Sequence, residues 1–514
     1  MRLFLTFLIT LFFLSAKAQP SDLQFLGWYR MGYDFKSFNQ PHLIGNSYYS
    51  TAQLNIYGAN YPKNYLIEFD KNGLIQQDLF YKRDVEGNKI DFLAISSNGN
   101  QLFGYYSFEK GEKSFLYRAP IDTRNLGLTK NREFIMSGDK RRNIPGPLGD
   151  LNPREAIEET YFYNRLYSFI ELPREKKTVI LKREPDKISS APRLKFVVMD
   201  ENSNTILEGK VKLKGTNKHT EIVDVEIGNQ SNLYFLTRTK NGPEQEYALT
   251  IFDAATGEDQ TIRLNDKRYI QSLQLSVIKD QIMAAGFASE RRNSNHWDLI
   301  ASKVTVDQRS IRSFKTLEKG EYDPDDVIDI KSAGNTVYVI AKSFRQARYD
   351  PRVNPGIVTR TRFTPRETKN TTIVALDFDA KKKWKHVIPN FMRTDIYSYE
   401  SYQEGYKDVL YDNYLYLEKD SGLVVVYCMN PQNDKKPKKN GKVRSVVFRN
   451  KKHFGVKAIT FDDDGLAKQK IISENQNIII PVPFLTQEAT DGNYFMIGSR
   501  YSSGSVSIGR MNLK

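Results

Sequence analysis

A single cysteine, Cys428, in 514 residues excludes an intrachain disulfide and a cysteine-built metal centre, so packing alone must hold the fold. Cys428 follows the apolar run of residues 423–427, which predicts a buried, inert thiol, and it stands too far from the N-terminus to carry a lipid anchor. Histidine is also scarce. The five, His42, His219, His296, His386 and His453, are scattered along the chain, so a multi-histidine metal site is not expected. No His-Glu-x-x-His, Gly-x-Ser-x-Gly, phosphate-cradling glycine loop or Cys-x-x-Cys is present. The expectation is therefore no catalytic residues, no metal and no cofactor. Beyond the N-terminus no stretch approaches the eighteen or so apolar residues of a membrane-spanning helix, so no transmembrane anchor is expected.

The N-terminus reads as a targeting segment. Arg2 precedes a twelve-residue apolar run from Leu3 to Leu14, and Ala16-Lys17-Ala18 offers small residues for cleavage ahead of Gln19. Twelve helical residues cover roughly 18 Å against ~30 Å of bilayer core, too short for an anchor. Residues 1–18 are thus expected to be a signal peptide and the protein to be exported, to the periplasm, the outer membrane or beyond. Lys and Arg exceed Asp and Glu by 15, or by 13 once Arg2 and Lys17 are removed, a bias toward acidic partners.

What is abundant is aromatic and strand-forming: 30 Tyr and 30 Phe in a chain that is 39% hydrophobic favour β-structure over helix or disorder. An apolar strand running into Asp and a turn recurs at residues 66–73, 248–257, 374–379 and 458–465. A polar turn leading into an apolar run recurs at residues 100–105, 231–236, 280–286, 334–340, 422–427 and 492–498. A third element places Asp just inside an apolar run, at Asp91, Asp224, Asp329 and Asp408.

Taken in order these make four-stranded units at 45–81, 89–136, 160–212, 221–264, 270–315, 326–388, 411–472 and 480–514. The pattern predicts one all-β domain over 19–514, a single β-propeller of eight blades, or seven if the weakly marked first and third units are not blades. The last unit lacks an outer strand. Residues near Leu23 to Arg30 are expected to supply it and close the ring. The pattern resembles the broad superfamily of bacterial secreted propellers of quinoprotein-like and WD40-like type, and the signal peptide and Lys- and Tyr-rich body resemble exported proteins of Bacteroidota. The Gly-His signature and the recurring Trp-Asp of WD40 repeats, and the Ser-x-Asp-x-Gly-x-Thr-Trp box of sialidases, are absent.

Two sets of residues are candidates for function. Asp91, Asp224, Asp329 and Asp408, on innermost strands, would line the central channel, as a cation-binding ring or as acid and base of a glycosidase, unless each simply bonds backbone N–H groups. Basic insertions at 345–369 and 430–452 carry Arg345, Arg348, Arg352, Arg360, Arg362 and Arg366, and Lys435, Lys436, Lys438 and Lys439. Both lie between the second and third strands of their units. They should therefore share a face with the connector bearing Tyr397, Tyr399, Tyr402 and Tyr406. The reading that follows is a non-catalytic binding or scaffold propeller of the cell envelope, docking an acidic glycan, lipid or partner protein through that basic, Tyr-bearing face. A carbohydrate-active enzyme using the channel carboxylates is the alternative. Nucleic acid is not an expected partner, since no recognition helix or RNA-binding signature is visible.

Overall fold

Short turns between consecutive apolar strands permit only hairpins, so each unit folds as an up-and-down antiparallel sheet. The computed structural model describes residues 23–513 apart from loop segments, the longest being 140–166, 347–361 and 399–413. It is 69% strand and 1% helix, with eight four-stranded blades in a ring. Strands are lettered A to D from the centre outward. The A strands are Asp34–Phe38, Asp91–Ser97, Ser168–Leu172, Thr220–Ile227, Tyr269–Ile278, Val327–Ala333, Tyr414–Lys419 and Ile479–Glu488. Blade 1 thus begins at Asp34, ahead of the expected residue 45. Its inner strand comes in two pieces, Asp34–Phe38 and His42–Ile44, both paired with Ser47–Asn55.

The recurring Asp builds the turn between strands C and D. One carboxylate oxygen of Asp70 accepts the N–H groups of Asn72 at 2.8 Å and Leu74 at 2.9 Å. Asp377 does the same for Asp379 and Lys381, and Asp462 for Asp464 and Leu466. The third residue after each Asp takes a left-handed conformation, with φ of 86° at Gly73, 55° at Ala380 and 83° at Gly465. Asp200 makes a further copy that the sequence pattern misses, bonding Asn202 and Asn204, with Ser203 in the left-handed position at φ of 64°.

Strands buried on both faces explain the continuous apolar runs. Eight hydrophobic clusters occupy the eight junctions between neighbouring blades. Strand B of blade 5, Gln281–Ser289, shows how period two serves this: Ile282, Ala284 and Ala288 pack on blade 4, while Met283, Ala285 and Phe287 pack on blade 6. Cys428 is buried in strand B of blade 7 as a free thiol.

Blade 8 takes its outermost strand from the other end of the chain. Leu23–Phe25 pairs antiparallel with Ser505–Met511, Leu23 opposite Met511 and Phe25 opposite Gly509, and Tyr29 and Arg30 extend the pairing to Val506 and Ser505. Leu23 is fully buried among Val424, Val426 and Ile472 of blade 7 and Tyr494, Met496 and Met511 of blade 8. The side chains of Phe25, Leu26 and Trp28, expected to pack there too, lie outside the described residues, as does the leader. Across the neighbouring junction, Phe495 of blade 8 meets Tyr48 and Phe69 of blade 1 at ring-centroid distances of 4.7 and 5.0 Å.

Candidate functional site

A β-bulge decides what the centre of the ring presents. In strand A of blade 4 the register with strand B slips between Ile222 and Asp224. Ile222 packs toward blade 3, and so do Val225 and Ile227, although they are an odd number of residues further on. The slip therefore turns Asp224 and Glu226 away from blade 3, and both are half-buried. Strands A of blades 1, 2 and 5 carry bulges at similar places, between Phe35 and Ser37, Phe92 and Ala94, and Ile270 and Ser272.

An innermost strand leaves one edge of its backbone unpaired, and carboxylates from other blades cap it. Asp224 accepts the N–H of its neighbour Val225 at 2.9 Å and, with its other oxygen, that of Leu275 in blade 5 at 3.0 Å. Glu418 of blade 7 accepts the N–H of Ser332 in blade 6 at 2.8 Å, and Glu171 of blade 3 that of Gln40 at 3.3 Å. Asp329 bonds the N–H of Ile330 at 2.9 Å and pairs with Lys331 at 3.6 Å. Ser276 and Ser332 join blades 5 and 6 at 3.0 Å.

Glu226 differs from these. Among the described residues it has neither a hydrogen bond nor an ion pair. Burial first, then the charge of Asp224, hold its carboxyl well above the usual range. Glu175 of blade 3 and Glu418 of blade 7 add to the effect, and Lys331 opposes it. Asp224 is pushed up to about 6, mainly by burial and also by Asp329, against the bonds from Leu275 and Val225 and the charge of Lys331. Among the described residues, charges from blades 3, 6 and 7 thus act on the pair Asp224 and Glu226 of blade 4.

The expected ring of four aspartates is therefore only half present in this cluster. Asp224 and Asp329 meet there, Asp91 is exposed at the head of its strand, and Asp408 lies outside the described residues. The glutamates and Lys331 went unnoticed in the sequence. For Glu226 and Lys331 the signal was a charged residue two places beyond Asp224 and Asp329, a pattern that Asp91 and Asp408, followed by Leu93 and Leu410, do not share. No group of three or more His, Cys, Asp or Glu among the described residues has an arrangement that holds a metal ion.

The described parts of the two insertions do meet the connector. Arg362 and Phe363 pair with Ser398 and Tyr397, and Arg366 pairs with Thr394. From the second insertion, Val446 donates its N–H to the carbonyl of Phe391 at 2.8 Å, and Asn433 holds Arg444 through both backbone groups. Arg345 belongs to strand B of blade 6, and Lys435 ends the short helix Gln432–Lys435, where it is exposed. Arg348, Arg352, Arg360, Tyr399, Tyr402, Tyr406, Lys436, Lys438 and Lys439 lie outside the described residues.

No known protein family matches the sequence, and no curated relative does. Solved structures similar to it include peptidases and the propeller domain of a protease. Acylaminoacyl peptidase of Pyrococcus horikoshii is 7% identical at a TM-score of 0.37, over 92% of this chain and 59% of that one. Prolyl oligopeptidase B of Galerina marginata is 8% identical at 0.38, over 91% and 55%. The β-propeller domain of the Trilobed protease from Pyrococcus furiosus is 10% identical at 0.36, over 86% and 100%. This chain spans between half and three-fifths of the length of the two whole peptidases, and at these identities the likeness is one of fold.

The expected non-catalytic envelope scaffold, docking an acidic partner through a basic face, is corrected on this finding: the similar structures are peptidases and a protease propeller. Among the described residues, the charged side chains that interact at the centre are mostly carboxylates, with Lys331 among them.

Proposed function

We propose that this chain is a peptide-handling propeller whose central channel receives a positively charged stretch of polypeptide. The observation that carries the reading is that, among the described residues, carboxylates outnumber ammonium groups in the charges acting on Asp224 and Glu226, with Asp224 raised to about 6. A cation entering there gains attraction in surroundings poorer in water than the surface, and relieves repulsion already present. That the ligand is a polypeptide follows the names of the similar peptidases; that it is cationic follows the channel. With the leader read at residues 1–18, the setting we propose is an exported one.

The test is fluorescence anisotropy with labelled basic and acidic decapeptides on the mature chain. The basic peptide should bind, weaken as salt rises, and weaken again as the pH falls below about 6, where Asp224 takes up its proton. Equal binding of both peptides, or salt-independent binding, would refute the proposal.

A further inference from the structure

We propose that Lys182 is a proton-operated latch between blades 2 and 3: carrying its charge it favours their parting, and as the neutral amine it favours their closure. Its action does not depend on what the channel receives. Lys182 stands in strand B of blade 3, Lys177–Glu184, and is 1% exposed. It reaches across the junction to blade 2, donating to Ser114 Oγ at 2.7 Å and to the carbonyl oxygen of Asp139 at 3.2 Å, and its Nζ stands 4.7 Å from the centre of the Tyr167 ring. Ser114 Oγ is in turn 3.1 Å from the Tyr167 hydroxyl. Gly138 makes the crossing possible, because a Cβ there would collide with Lys182 Cε.

The three N–H donors of the ammonium thus meet a hydroxyl, a carbonyl and an aromatic face, so its hydrogen bonding is satisfied. Its charge is not neutralised: among the described residues no carboxylate forms an ion pair with it. An enclosed cation in that position keeps most of its desolvation cost. Burial accordingly brings Lys182 down to about 8 from 10.5, helped by Lys195 and opposed by Asp139, Glu184 and Glu109. Lys195 itself pairs with Glu184 at 3.4 Å and donates to the Ser137 carbonyl at 3.0 Å. The Tyr167 phenol, raised to about 12 by burial, stays neutral over the same range. Parting the blades returns Lys182 to water, where its ordinary value applies. The open state therefore holds the proton more tightly than the closed one, and opening is favoured increasingly as the pH falls from 10.5 to 8, with the full effect present below 8.

The rest of the junction permits this movement. Among the described residues, nine buried apolar side chains pack between blades 2 and 3, against eighteen between blades 4 and 5. The chain passes from blade 2 to blade 3 through residues 140–167, its longest passage between successive blades, so the covalent link does not limit the gap. Away from Lys182, Ser203 in the turn between strands C and D of blade 3 holds blade 2 through Ser96 Oγ at 2.7 Å and through Arg118. None of these groups changes charge between pH 7 and 9, so the blades should part from the Lys182 end.

Peptide-resolved hydrogen exchange of the mature chain at pH 7 and pH 9, corrected for the intrinsic exchange rate, tests this. The opening constant read from Lys177–Glu184 and from Glu133–Asp139 should be about tenfold larger at pH 7 than at pH 9, while Gln281–Ser289 of blade 5 should show no such difference. In Lys182→Met the two strands should exchange more slowly than in the wild type at pH 7 and lose the difference between the two pH values. Exchange that Lys182→Met leaves unchanged, or a pH effect of equal size in blade 5, overturns the inference. A thermal melt establishes that the variant folds; should it not, the wild type at the two pH values, read against blade 5, decides alone.

Discussion

Removing the N-terminal strand should open the ring. Leu23–Phe25 and Tyr29–Arg30 come to blade 8 from the far end of the chain and lie along the outer edge of Ser505–Met511. Leu23 alone, fully buried between blades 7 and 8, sets a lower bound on the effect: Leu23→Ala should cost about 2–5 kcal/mol. Deleting residues 19–30 should cost more, because five residue pairs along the edge are lost with it and the freed strand becomes a site for edge-to-edge association. Deleting 19–22 alone should be nearly silent. The assay is urea denaturation of the mature chain and the three variants, with light scattering to follow association. A synthetic peptide of residues 19–30 added in trans should restore part of the lost stability. If the 19–30 deletion unfolds at the same urea concentration as the mature chain, the ring does not depend on this strand and the reasoning fails.

Two further outcomes follow from particular residues. The carboxyl of Asp224 is raised to about 6 from an ordinary value of 3.8, so the stability gained by keeping its proton is complete below pH 3.8 and lost as the pH rises through 6. Asp224→Asn should accordingly stabilise by about 2–3 kcal/mol at pH 8 and by almost nothing at pH 4, and an equal loss at both pH values in urea titrations would contradict this. Gly422 has φ of 135°, and an added Cβ would stand 1.9 Å from the carbonyl oxygen of Phe461, whereas a Cβ at Gly45, φ 60°, meets nothing within 4 Å. Gly422→Ala should cost more than about 3 kcal/mol and Gly45→Ala about 1, measured by thermal melts; similar losses would show that the close approach at Gly422 does not matter.

The sequence by itself determined the repeat, the strand class, the eight units and the source of the closing strand. These are local properties: hydrophobic runs of strand length, and Asp with Gly at turns, act on their own neighbours in the chain. The gap at the C-terminus was legible for the same reason, since a blade with three strands leaves an unpaired edge. One copy of the turn, at Asp200, went unread in the sequence and became visible only through its two backbone bonds. The centre of the ring was decided by tertiary structure alone. Asp224 and Asp329 were legible as residues but not as neighbours, and Glu226, Lys331, Glu175 and Glu418 come from four different blades. A single bulge at Val223 chooses which side of the strand faces blade 3, and a one-residue slip exchanges apolar for acidic side chains. No spacing along the chain encodes that choice, because it is set by what blades 3 and 5 require on either side. The carboxylates of blades 3, 4, 6 and 7 therefore became readable as interacting groups only once the ring had closed.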